Sequence, residues 1–145
     1  MQVKVKILDK RATLLKYGTD YSAGADLYNL SGETVIIPPH KTVIIHTGIA
    51  MEIPEGYAGL IFARSGIATK RGLAPANKVG VIDADYRGEI MVPLHNHTDS
   101  EATVEGGERV AQISLVPFLK ADFVISDELT DTVRGENGFG STGEK

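Results

Sequence analysis

The segment Asn77-Lys78-Val79-Gly80-Val81-Ile82-Asp83-Ala84-Asp85-Tyr86-Arg87-Gly88 sets two carboxylates, a phenol and a guanidinium at the end of an apolar, strand-like run. Val79 to Ile82 on one side and Glu89 to Leu94 on the other read as two strands, which makes Asp83 to Arg87 the turn of a β-hairpin. A tip with that set of groups can hold a ligand. The plainer alternative is a solvated turn in which Asp83 and Asp85 bond to their own backbone, as Asp commonly does. Four other blocks along the chain decide between the two.

Ala63-Arg64-Ser65-Gly66-Ile67-Ala68 stands where a strand gives way to a short helix. Free N–H groups and the positive end of the dipole suit such a place to a phosphate, and Arg64 and Ser65 add a charge and a hydroxyl donor. In Gly107-Glu108-Arg109-Val110-Ala111-Gln112, a polar Gln112 interrupts an apolar strand and needs a partner if buried. Ala23-Gly24-Ala25-Asp26-Leu27 holds a single carboxylate in a turn of small residues that leads into a strand; alone, Asp26 reads as a turn residue. The last block is Arg134-Gly135-Glu136-Asn137-Gly138-Phe139-Gly140-Ser141-Thr142-Gly143, too glycine-rich for strand or helix. Its glycines let the backbone approach an anion, Ser141 and Thr142 add donors, and Arg134 offers a fork for phosphate oxygens. Phe139 is its one large apolar group, and stacking on a flat nucleobase would explain an aromatic there. The pattern is that of a mobile lid over a nucleotide, and it differs from a P-loop because no Gly-Lys-Ser/Thr follows a strand and opens a helix.

These blocks need a scaffold, and the chain is long enough for one. Its 145 residues suit a single domain with a real core, residues 1–145, whose last stretch from about 126 to 145 forms the arm. Alternating runs at Val3 to Ile7 and Ile49 to Ile53 predict half-buried strands. Further runs at Val35–Ile37, Thr42–Thr47, Gly59–Phe62, Glu89–Pro93, Val110–Pro117 and Ala121–Ile125 are separated by Gly, Pro, Asn or Asp. The expectation is an all-β, jelly-roll-like distorted barrel of short antiparallel strands. One short helix is expected from about Ser65 to Arg71, with Ser65 as N-cap and Gly72 as stop. The absence of cysteine excludes disulfides, thiol catalysis and thiolate zinc sites. A net charge of −4 gives no general attraction to nucleic acid, and no long apolar segment or leader-like start points to a membrane; a cytoplasmic protein is expected.

Taken together and in this order, the five blocks resemble the motifs of the trimeric dUTP pyrophosphatase (dUTPase) family across nearly the whole chain. Two departures stand out: Ala63 where the family often has proline, and Glu136-Asn137 where it often has a glycine before Gly138. Both bear on loop stiffness more than on chemistry. The resemblance implies hydrolysis of dUTP to dUMP and pyrophosphate, with Asp83 activating the water that attacks the α-phosphorus. It implies that Tyr86 stacks on deoxyribose and leaves no room for a 2′-hydroxyl, and that Asn77, Gly80, Ile82 and Met91 read uracil. Arg64, Ser65, Gly66 and Gln112 would position the α- and β-phosphates, while Arg134, Gly140, Ser141 and Thr142 close over the γ-phosphate and Phe139 over uracil. Mg²⁺ is expected on the triphosphate, with Asp26 touching it only through water. The homotrimer, with sites drawn from three subunits and the arm crossing to a neighbour, also follows from the resemblance alone.

Rival readings are a dCTP deaminase, whose hairpin uses a glutamate where this chain has Asp83-Ala84-Asp85-Tyr86, and a non-catalytic nucleotide-sensing trimer. A purely structural jelly roll, such as a capsid protein, leaves Phe139 and its glycines unexplained. His40, His46, His95 and His97 do not repeat the spacing of a known metal site and read as surface or strand-end residues. Lys4, Lys6, Lys70, Lys78 and Arg71 read as solvated charges.

Overall fold

A computed structural model describes residues 1–138, in which twelve short strands and one helix build an all-β, jelly-roll-like fold. The nine-residue strand β12 (Arg109–Pro117) is its spine, because both of its edges are paired. On one side it runs antiparallel to β3 (Ala25–Tyr28), on the other to β7 (Tyr57–Phe62). β2 (Lys16–Tyr17) and β9 (Gly80–Ile82) extend this sheet to five strands. A three-stranded sheet holds β5 (Thr42–His46), β10 (Met91–Asn96) and β8 (Leu73–Pro75). Two further pairs join β1 (Lys4–Ile7) to β6 (Ile49–Glu52) and β4 (Val35–Ile37) to β11 (Ala102–Val104). The sheets do not close into the barrel expected from sequence; they pack around one buried cluster that includes Leu27, Ile37, Ile45, Leu73, Val92 and Val110.

The Ala63–Ala68 region behaves as its sequence demands, with one change. Helix α1 spans Ser65–Arg71, but the N-cap is Arg64, in extended conformation, and no side chain caps it. Ser65 is therefore the first helical residue and not the cap. At the other end Gly72 takes φ 62°, and its N–H returns to the carbonyls of Ala68 and Ile67. That left-handed turn satisfies carbonyls the helix leaves open and suits glycine best. Lys70 and Arg71 in the last turn complement the dipole.

Three other expectations are corrected. First, Asp83–Arg87 is not a hairpin turn: β9 pairs with β7, whereas β10 pairs with β5 and β8. Residues 83–90 cross between sheets. The reason lies in burial, since Ile90, Val92, Leu94 and Asn96 are fully buried at every second position and draw β10 onto the core away from β9. Second, Asp26 is a buried strand residue of β3, not a turn residue. Third, Ala121–Ile125 forms no strand, because no edge among the described residues pairs with it; Phe123, Val124 and Ile125 are exposed. Strands β2, β8 and β11 were not expected, being only two or three residues long.

Replacing Gly72 by alanine should destabilise the fold by about 1–3 kcal/mol, since a side chain there is strained at positive φ and its Cβ would lie 2.4 Å from Thr98 Cγ2. Urea denaturation measures this, and an unchanged midpoint would contradict the capping role.

Candidate active site

The register of the central sheet assembles one half of the site. Gln112 stands opposite Asp26 on one neighbour and Phe62 on the other, so the three lie in a row across β3, β12 and β7. Arg64 follows two residues after Phe62, at the mouth of α1. The partner that Gln112 needed is the carbonyl of Ala63, which accepts its Nε2–H at 2.9 Å. Gly24 makes room for this carboxamide, because a Cβ there would lie 2.4 Å from Gln112 Oε1. A register shift between Arg109 and Ala111 lets two successive residues, Val110 and Ala111, turn inward. Arg109 then reaches Asp26.

Asp26 is 8% exposed and meets two guanidinium groups. Arg64 Nε lies 2.7 Å from its Oδ1 and Arg109 Nη1 lies 3.3 Å from its Oδ2. Both oxygens are thus engaged, and the carboxylate fixes where the two cations sit. Among the described residues the terminal nitrogens of Arg64 have no protein partner. Asp26, Arg64, Ser65, Gly66, Arg109 and Gln112 line a polar cleft of about 500 Å³. Cation, hydroxyl, amide and exposed first-turn N–H groups make that lining suitable for an oxyanion chain.

The other half lies in the crossing loop. Val81, Ile82, Asp83, Tyr86, Glu89 and Met91 line a second cleft of about 250 Å³, which shares no lining residue with the first. Asp83 is exposed there, and Tyr86 is 40% exposed. Tyr86 folds back so that its hydroxyl donates to the carbonyl of Glu89 at 2.9 Å. Gly88 permits this fold, since a Cβ there would lie 2.4 Å from the phenol oxygen. Arg87 is exposed, and its Nη1 donates to the carbonyls of Ala84 and Tyr86, so it braces the loop. Asn77 and Gly80 line neither cleft; Gly80 is buried against Ile61 and the Asn77 amide.

Arg134, the first residue of the arm block, is exposed and donates from Nε to the carbonyl of Asn137. It approaches neither cleft. Phe139, Gly140, Ser141 and Thr142 lie outside the described residues. Arg71 is not a free solvated charge: its Nη2 is buried and sits 2.8 Å from Glu108 Oε1, a charge contact without hydrogen-bond alignment. Among the described residues no group of three or more His, Asp or Glu side chains could hold a metal ion. The histidines serve locally, His40 on Asp99, His46 on Glu89 and His95 on Thr42.

Sequence reasoning missed Glu89 and Arg109 as site residues. Arg109 was visible as a charge beside an apolar strand; the contacts of Glu89 were not, since they reach more than forty residues back. Its carboxylate accepts the N–H groups of Gly48 at 2.8 Å and Thr47 at 3.1 Å and meets His46 Nδ1 at 2.9 Å. Burial pushes this carboxyl up, but His46 and the two N–H groups outweigh burial and hold its pKa below the ordinary value.

Fold and clefts define a small jelly-roll-like protein with a cationic cleft and a carboxylate-bearing loop. A family model described as dUTPase matches residues 10–143. The chain is 47% identical over 145 residues to the deoxyuridine 5′-triphosphate nucleotidohydrolase of Hydrogenobaculum sp., covering 100% of both. It is 45% identical to that of Acinetobacter baylyi, again over 100% of both. Among solved structures, the dUTPase of Staphylococcus bacteriophage 80alpha with dUpNHpp superposes with a TM-score of 0.90 at 30% identity, over 98% of each chain. The chain belongs to the dUTPase family of hydrolases.

Because the folded pKa of Glu89 is depressed, its stabilising contribution is complete above the ordinary carboxylate range and is lost as pH falls from that range through the lower folded value. Glu89→Gln should therefore flatten the decline of unfolding free energy on the acid side, below about pH 5. Parallel declines for the two proteins would show that Glu89 carries none of the acid sensitivity.

Proposed function

We propose that this protein hydrolyses dUTP to dUMP and pyrophosphate, with residues 1–145 acting as one unit and about 126–145 as its arm. The observation that carries this reading is that motifs matching one family fall into two clefts of complementary chemistry, one cationic and one built around Asp83 and Tyr86. Asp83 accepts a proton from water as its oxygen attacks the α-phosphorus, and the bond to the bridging oxygen breaks on the opposite side to release pyrophosphate. Arg64, Ser65, Gly66 and Gln112 hold the α- and β-phosphates and meet the charge that grows there. Tyr86 lies against deoxyribose, and Asn77, Gly80, Ile82 and Met91 contact uracil. Arg134, Ser141 and Thr142 close on the γ-phosphate, with Gly140 allowing close approach and Phe139 stacking on the base.

The donor set fits an ion that arrives with the nucleotide. Among the described residues Asp26 is the one carboxylate in the cationic cleft, and both of its oxygens already face guanidinium groups, so it would touch Mg²⁺ through water. Bound on the triphosphate, Mg²⁺ would neutralise charge on its oxygens.

Two features support a homotrimer with shared sites. The nucleoside half and the phosphate half occupy separate clefts in one chain. Leu119, Phe123, Ile125, Leu129 and Val133 leave their side chains almost wholly in water, a costly arrangement unless another copy covers them. We place the protein in the cytoplasm, lowering dUTP and supplying dUMP for thymidylate synthesis; among the described residues no helix is long and apolar enough to cross a membrane.

Pyrophosphate release with Mg²⁺ from dUTP, UTP, dCTP and dTTP tests the reaction. Release should be confined to dUTP and fall by about a thousandfold in Asp83→Asn; ammonia release from dCTP would instead support a deaminase. A chain ending at Val133 should keep its subunit number and its stability within about 0.5 kcal/mol yet lose most turnover. Native turnover in that shortened protein would remove the arm from the mechanism.

A further inference from the structure

Ala84 packs the crossing loop against the core, but one side chain alone hydrogen-bonds it to the body of the protein. Tyr86 N–H donates to Asp83 carbonyl, Arg87 donates to the carbonyls of Ala84 and Tyr86, and Tyr86 hydroxyl donates to the carbonyl of Glu89, all within residues 83–89. Among the described residues, the Glu89 carboxylate is the only side chain of this segment whose hydrogen bonds leave it. It spans to the turn between β5 and β6, where the N–H groups of Thr47 and Gly48 converge on a single oxygen, Oε1. The other oxygen meets His46 Nδ1. Immediately afterwards Ile90 is fixed on both sides, its N–H to the carbonyl of Ile49 and its carbonyl by the Thr47 hydroxyl. Glu89 thus stands where a self-bonded loop is joined to the rigid sheet.

We propose that Glu89 is a positioning residue for sugar selection, acting through Tyr86. This rests on the reading above, in which Tyr86 excludes a 2′-hydroxyl. Its carboxylate, held by three donors, sets the position of its own carbonyl oxygen; that oxygen holds the Tyr86 hydroxyl; and the phenol ring forms a wall of the cleft that also contains Asp83 and Met91. A ring tethered at its far end resists displacement by an additional hydroxyl on the sugar. A ring free to swing admits one. Loss of the Glu89 carboxylate should therefore weaken discrimination more than turnover, since Asp83 lies at the opposite end of the loop, where β9 leads directly into it.

The test is the ratio of kcat/KM for dUTP to that for UTP in the native protein, Glu89→Gln, Glu89→Ala, Tyr86→Phe and the double variant Glu89→Ala with Tyr86→Phe, with unfolding midpoints measured alongside. Glu89→Ala should lower the ratio by about tenfold, the worth of lost hydrogen bonds to a charged group. Glu89→Gln keeps one carbonyl oxygen for Thr47 and Gly48, so it should fall between native and alanine; it also serves if the alanine variant does not fold. If Glu89 acts through Tyr86, the double variant should be no worse than the poorer single one, because both break the same chain of contacts. A lowered midpoint with a ratio within about twofold of native, or additive losses in the double variant, would overturn the proposal and leave Glu89 a structural anchor. Asp83→Asn runs as a control: if it keeps native turnover, the assigned reaction fails, and the dissociation constants of the two nucleotides still report the effect of Glu89 on selection.

Discussion

A carboxylate that is 8% exposed has lost most of its water and needs polar partners in its place, and Asp26 is in that position. Arg64 and Arg109 supply the replacement, and neither is near Asp26 in sequence. They meet because β12 pairs with β3 and β7 in a register that aligns Asp26, Gln112 and Phe62. A slip of one residue would turn Gln112 into the core and Ala111 or Ile113 outward, and would remove both cations from the carboxylate. The hydrophobic alternation of β12 and the electrostatics of Asp26 therefore select the same register.

The two clefts are built by different means. Regular strands and their ladder fix the cationic cleft, so its geometry inherits the stiffness of the central sheet. The second cleft belongs to a loop whose polar contacts are mostly internal, and its position depends on β9 at one end and on Glu89 and Ile90 at the other. Glycines contribute space in both: Gly24 admits the Gln112 carboxamide, and Gly88 admits the phenol ring of Tyr86. At each position a Cβ would collide with a neighbouring side chain, so these positions are constrained by that neighbour more than by backbone conformation.

Which parts of this were legible beforehand follows from the range of the interactions involved. The strands with clear alternation and the helix from Ser65 to Arg71 were readable, because period and stop signals are local. The residue types of both clefts were readable too, since Arg64, Ser65, Gln112, Asp83 and Tyr86 stand out within their own segments. What sequence could not give was pairing. Asp83 to Arg87 looked like a hairpin because two apolar runs flank it, yet the buried face of β10 matches β5 and β8 instead. Asp26 looked like a turn residue because nothing beside it announces two cations from elsewhere. The span Ala121–Ile125 has strand composition and no strand, since a strand requires an edge to join.

That last case bears on how a complete site would arise. An apolar segment with strand propensity and no partner in its own chain is stable only when it finds an edge or an apolar surface elsewhere. The same chain offers an apolar groove of about 430 Å³, lined by Val3, Val5, Leu14, Tyr17, Met51 and Leu115, beside strands β1 and β2. Covering that groove with a neighbour's segment would bury both surfaces at once, at roughly 25 cal/mol for each Å² of apolar area removed from water. An arm that crosses between copies for this reason would also carry Arg134 away from its own clefts. Association would then be driven by burial at the arm's apolar half.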